Sequence, residues 1–147
     1  MRFRKTWFPN FDETNAIVGF YPGLNVGMTS HDGEKITNTF HVDSGAELSQ
    51  APRELCEQLG LPWEDGELIV LQGISPREEC DVLGRIHQVE IYVKEVDRRL
   101  VIPVCFAAGE TAALLGRDGF FDAFRIEFDK PARTTSFEYL LDEETES

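Results

Sequence analysis

Short apolar runs, each closed by a turn signal within about ten residues, constrain this chain more than any other feature of its sequence. Residues 16–21 (Ala-Ile-Val-Gly-Phe-Tyr) are followed by Pro22-Gly23, and Ile36-Thr-Asn-Thr-Phe-His-Val42 follows the tetrad His31-Asp32-Gly33-Glu34. A glycine at the third position of such a tetrad accepts positive φ, so residues 24–30 and 35–42 are expected to form a β-hairpin. Residues 67–74 read as a further strand, and a polar loop follows at 75–81. In residues 84–96, Val89, Ile91 and Val93 alternate with Gln88, Glu90, Tyr92 and Lys94, the pattern of a half-buried antiparallel strand. Asp97-Arg98-Arg99 is read as the turn into a partner strand, Leu100–Phe106, where Pro103 favours an edge or a bulge. Phe124, Ile126 and Phe128 alternate in what reads as the last strand. One helix is expected at residues 52–59, with Pro52 in its first turn, Gly60 just past its end, and Leu55, Cys56 and Leu59 on one face. A further helical turn is expected at 120–124. Many short strands with one or two short helices make an all-β barrel or sandwich.

Length and composition bound the rest. At 147 residues the chain is one domain's worth, long enough to bury a core without disulfides. Residues 1–13, aromatic and punctuated by Pro9 and Asn10, read as an irregular N-terminal arm. Residues 14–130 form the domain and residues 131–147 an acidic C-terminal tail. The net charge is −13, with Glu138, Asp142, Glu143, Glu144 and Glu146 near the end. The body is acidic without them, which argues against nucleic acid as a partner. No apolar run nears the ~18 residues of a membrane span and no secretory leader is evident, so no membrane partner and a cytoplasmic location are expected. Cys56, Cys80 and Cys105 form no Cys-x-x-C pair, and His31, His41 and His87 have no ligand spacing. Buried thiols, no metal and no cofactor are the expectation.

The chemistry is concentrated in Phe40-His41-Val42-Asp43-Ser44-Gly45-Ala46. An apolar strand delivers one carboxylate into a tight turn beside a hydroxyl and a glycine. Alone, that is an ordinary polar turn. Downstream stands a second stretch, Leu114-Leu115-Gly116-Arg117-Asp118, and between the two lie the helix, the strand pair and a strand carrying Gly73 near its end. In this order the segments resemble the retropepsin-like aspartic proteases, the single-domain relatives of retroviral proteases, over roughly residues 16–129. The resemblance implies a closed retropepsin-like barrel and an aspartic endopeptidase acting on a peptide or protein. Asp43 matches the catalytic aspartate, Ser44 the hydroxyl residue that ties the paired loops across a dimer, and Gly45 the rest of the catalytic triplet. Ala46 and Glu47 match positions that meet substrate, Gly73 and Ile74 fall at the flap, and Leu114 lies near the substrate pocket. Arg117 and Asp118 match the pair that braces the loop and the interface. His41 departs from the usual aliphatic residue and, two positions before Asp43, shares its face of the strand. The charged stretch Ser75-Pro76-Arg77-Glu78-Glu79 departs from a glycine-rich flap.

Peptide hydrolysis by carboxylates needs two of them sharing one proton. The other Asp-Gly pairs, at Asp32, Asp65 and Asp118, lack the intervening hydroxyl residue. One chain then holds half a site, and a C2 homodimer is expected. The other reading is a retropepsin-like dimeric binding or scaffold module whose chemistry is weak or lost. The intact Asp43, Ser44 and Gly45 favour the enzyme.

Overall fold

The computed structural model describes residues 1–71, 82–109 and 111–142. Twelve strands are present among them: β1 (Arg2–Thr6), β2 (Phe8–Phe11), β3 (Ile17–Tyr21), β4 (Gly23–Thr29), β5 (Lys35–Val42), β6 (Ser49–Pro52), β7 (Glu67–Leu71), β8 (Val82–Val93), β9 (Arg98–Ala107), β10 (Leu114–Leu115), β11 (Phe124–Asp129) and β12 (Thr134–Tyr139). Helix α1 spans Arg53–Gln58, a 3-10 turn spans Trp63–Asp65, and a kinked helical turn spans Arg117–Phe121.

Six strands close a barrel in the order β4-β5-β10-β6-β9-β8, and the bridge between Gly27 and Tyr92 joins β8 back to β4. The length of β8 makes closure possible. Its first residues pair with β7, and its far end is left to meet β4. The hairpin of β4 and β5 turns at Ser30–Glu34, where the Glu34 amide donates to Ser30 Oγ at 3.0 Å and Gly33 takes φ +86°. Alternation then sorts the side chains. Leu24, Val26 and Met28 of β4, Phe40 and Val42 of β5, Val89, Ile91 and Val93 of β8, and Leu115 of β10 are all buried inside. Helix α1 covers one side through Leu55, Cys56 and Leu59, and Gly60 past its end has φ +73°. This is a closed all-β barrel with short helices.

A three-stranded sheet, β1-β12-β11, packs against the barrel. Phe3 stacks on Phe137 with centroids 4.6 Å apart, and Phe137 meets Phe124 edge-on at 6.1 Å. These rings belong to the same continuous core as the barrel.

Three expectations are corrected. Residues 1–13 are not irregular, because β1 runs antiparallel to β12 along its full length and β2 pairs with β3. Phe3 is the one large apolar residue of β1 and gave too short a pattern to read. Residues 134–139 are not part of a solvated tail. They form β12, the middle strand of its sheet, with Thr135 and Phe137 buried, so β11 is not the last strand. The turn between β8 and β9 sits at residues 94–97, where Asp97 takes φ +51°, and Arg98 and Arg99 already belong to β9. Pro103 meets the edge expectation locally, because β9 is paired there with β8 alone, and no register shift marks a bulge. It precedes Val104, where pairing with β6 begins, so its missing N–H interrupts no bond on that side. Gly73 and Ile74 lie outside the described residues.

Candidate active site

Strand β5 carries Asp43 to the end of the barrel, where two chain segments meet it. Short β10 runs parallel to β5, with Leu114 opposite His41 and Leu115 opposite Val42. The Asp43 amide donates to the Leu115 carbonyl at 2.9 Å, and the His41 amide donates to Ala113 at the same distance. The aspartate's own backbone is thereby fixed from a strand far away in sequence.

The loop after Asp43 closes on itself. Asp43 Oδ1 accepts the Gly45 amide at 2.8 Å, and its carbonyl accepts the Ala46 amide at 3.3 Å. Such a side-chain-to-backbone bond across two residues is what an aspartate provides in a turn. A second brace comes from the segment after β10. The Arg117 amide donates to the Ala46 carbonyl at 2.9 Å and the Asp118 amide to the Glu47 carbonyl at 2.8 Å. The buried Ser49 hydroxyl accepts the Gly116 amide at 2.9 Å. Gly116 has an ordinary φ of −100°, and its smallness serves close approach. A Cβ there would stand 2.6 Å from the Leu48 carbonyl group and 2.9 Å from the Ala46 oxygen.

The structure therefore brings Asp43, Ser44, Gly45, Ala46 and Glu47 together with Leu114, Arg117 and Asp118. Ser44 and Gly45 are exposed at the loop tip, while Asp43 and Ala46 are half-buried. Arg117 and Asp118 hold the loop through backbone amides. The Arg117 side chain is exposed and makes no ion pair among the described residues. His41 is half-buried, and its ring lies 5.4 Å from that of Tyr21. The sequence reading missed Ser49 and Tyr21. A lone serine and a tyrosine at a strand end carry no local signal of the contacts they make.

A competing chemistry is present on paper. Cys56 Sγ lies 3.9 Å from His87 Nε2, a thiol beside an imidazole. Both groups are enclosed, however, and a Cβ on Gly66 would come within 2.5 Å of that nitrogen. Burial pushes the Cys56 thiol up from its usual value, partly offset by Arg53, and the thiol contacts the Leu61 carbonyl at 3.5 Å. Burial likewise raises Cys105. A neutral, buried thiol is a poor nucleophile. Among the described residues no three His, Cys, Asp or Glu gather as a metal site. No helix among them is long and apolar enough to cross a membrane.

No family model matches the sequence, and no curated protein matches it. Among solved structures, the chain is similar to a retropepsin-like aspartic protease from Rickettsia conorii. The superposition has a TM-score of 0.59 at 15% identity and covers 95% of this chain and 94% of that one. At that identity the likeness concerns architecture alone. The chain has the retropepsin-like fold.

Proposed function

We propose that this protein is an aspartic endopeptidase in which Asp43 and the Asp43 of a second copy share one proton and activate a water. One carboxylate takes a proton from the water while the protonated one polarises the scissile carbonyl. Like charges about 3 Å apart cannot both ionise, so the pair holds one proton between them, as in aspartic proteases generally. The chemistry therefore needs a twofold axis beside the loop, and the functional unit is a homodimer. Ser44 and Gly45 would meet their symmetry mates at that axis. His41, Ala46, Glu47 and Leu114 would line the path of an extended peptide.

The observation that carries this reading is the loop itself. A strand-end aspartate in a retropepsin-like barrel is held by the Leu115 carbonyl, and the loop after it by the Arg117 and Asp118 amides, with the Ser44-Gly45 tip exposed. A solvated turn would not require four long-range backbone bonds, those of His41, Asp43, Arg117 and Asp118, to hold it. The resemblance to an aspartic protease from Rickettsia conorii supports the same activity.

The test is cleavage of a peptide library at acidic and neutral pH by the purified protein and by Asp43→Asn. The wild type is expected to cut and the variant to lose several orders of magnitude. Equal cleavage by both would remove the shared-proton mechanism. Sedimentation is expected to find a dimer, and a strict monomer at micromolar concentration while peptides are cut would overturn the two-chain site.

A further inference from the structure

We propose that the hairpin of β2 and β3 is the arm by which this chain meets a second copy of itself, and that its apolar face, Phe11, Ile17 and Val18, packs across the twofold axis that sets the two Asp43 side chains together. The inference rests on the two-chain site proposed above and names the surface that assembles it.

The two strands, Phe8–Phe11 and Ile17–Tyr21, pair with each other and, among the described residues, with no other strand. Their nine residues carry no charged side chain, in a chain where 28% of residues are charged and the net charge is −13. Two such acidic subunits repel one another, and the repulsion is least where neither presents a charge. Phe11 and Ile17 stand opposite each other in register, and Val18 is the extra residue of the bulge beside them. The three are 56%, 56% and 65% exposed, so they make one contiguous patch and not a scatter of single apolar residues. Phe20, nearer the root, is already covered in part, since the Arg133 guanidinium lies over its ring at 4.1 Å.

The arm is stiff, and its root adjoins the candidate site. Asp12 Oδ1 accepts the Thr14 and Ala16 amides at 2.8 and 3.0 Å and the Thr14 hydroxyl at 2.7 Å, which locks the turn at the tip. At the root, the Trp7 amide donates to the Arg133 carbonyl at 2.8 Å, and Trp7 Nε1 donates to Thr135 Oγ1 at 2.9 Å. On the other strand, the amide of Val42, one residue before Asp43, donates to the Pro22 carbonyl at 2.8 Å. An arm ordered in advance loses little entropy on docking. It springs from the strand end that the twofold axis must adjoin. The exposed tip of the Asp43 loop, Ser44 and Gly45, is too small to hold two subunits, because a standard interface buries about 800 Å² per partner. The arm supplies apolar area next to it.

The experiment measures the dimer dissociation constant of the full chain by sedimentation equilibrium for wild type, Ile17→Lys, Val18→Lys and Val101→Lys. Val101 on β9 is a similarly exposed apolar residue, at 60%, and serves as the control. Lysine lowers the net negative charge, so weaker association reads the contact itself and not the overall repulsion. The constant is expected to rise about tenfold or more in both arm variants, as for an unpaired charge forced into an apolar contact, and to stay unchanged in Val101→Lys. Hydrogen exchange of the wild type needs no substitution, and the amides of residues 8–21 are expected to gain protection from dilute to concentrated samples. A dimer of unchanged strength in both arm variants overturns the inference and leaves the protease standing. Arm variants that keep the dimer and raise KM assign the arm to substrate and overturn it too. A wild-type monomer whose arm amides are protected only by phosphatidylcholine vesicles assigns the arm to a lipid surface, with the same result. If the arm variants dissociate while no cleavage depends on Asp43, the protease reading fails and the arm contact stands.

Discussion

A Cβ on Gly116 would sit 2.6 Å from the carbonyl carbon and oxygen of Leu48, so the segment after β10 and the loop after Asp43 touch backbone to backbone. The Arg117 and Asp118 amides reach the Ala46 and Glu47 carbonyls because nothing stands between them. Gly116→Ala must push the two apart. Overpacking of this kind costs about 1–3 kcal/mol. Here it also breaks the bonds that fix the loop, so peptide cleavage should fall by more than the lost stability accounts for. Thermal melts and cleavage rates on the same preparation check this, and a variant with native melting and native activity contradicts it.

Ser49 offers a milder probe of the same junction. Its hydroxyl, fully buried, accepts the Gly116 amide, and removing it leaves that amide enclosed without a partner. An orphaned buried donor costs about 1–3 kcal/mol. Ser49→Ala should lower the unfolding free energy by that amount, and Ser49→Thr, which retains the oxygen, should recover part of it. Chemical denaturation of the three proteins decides the matter.

The legible parts of this molecule were those whose physics is local. The turn at Gly33 follows from one residue's tolerance of positive φ, and α1 from an apolar stripe bounded by Pro52 and Gly60. Asp43 could be singled out because a strand, a carboxylate, a hydroxyl and a glycine stand in succession, and because a second motif, Leu114-Leu115-Gly116-Arg117-Asp118, stands downstream. Strands β1 and β12 were hidden for opposite reasons. In β1 Phe3 and Lys5 share the half-buried face and only Phe3 is apolar, and in β12 the alternation of Thr135, Phe137 and Tyr139 is overshadowed by the acids that follow. Each is stabilised by the other, so neither shows its character alone. The contact of Tyr21 with His41 joins two strands through a glycine between them, a relation that no single segment carries.

The pairing of β1 with β12 makes the C-terminal segment part of the core. Phe137 is 1% exposed and lies between Phe3 and Phe124. Phe137→Ala should cost about 3–5 kcal/mol, the range for emptying a large aromatic site in a core. A chain ending before Thr134 should fail to fold cooperatively, whereas one ending after Asp142 should melt like the full protein. Circular dichroism melts of the two truncations and the point variant measure this, and a stable protein lacking residues 134–142 would show that the sheet is dispensable.

The same sheet should respond to acid through Glu138. Its carboxylate is bonded by Arg2 at 3.2 Å and by Arg125 at 2.8 Å, tying β12 to both neighbours. The hydrogen bond from Arg2, with the charge of the two guanidinium groups, holds this carboxyl below its ordinary value of 4.5, against a smaller opposing effect of desolvation. A carboxylate whose folded value is lowered adds stability that is present above the unfolded value and is lost as the pH falls through the folded one. The wild type should therefore lose melting temperature more steeply than Glu138→Gln as the pH drops below about 4.5, and the two curves should run parallel above it. Since the pair is exposed, high salt should shrink the difference between them. Melting curves from pH 7 to pH 3 at low and high salt test both statements, and parallel curves across the whole range would show that Glu138 carries no pH-dependent load.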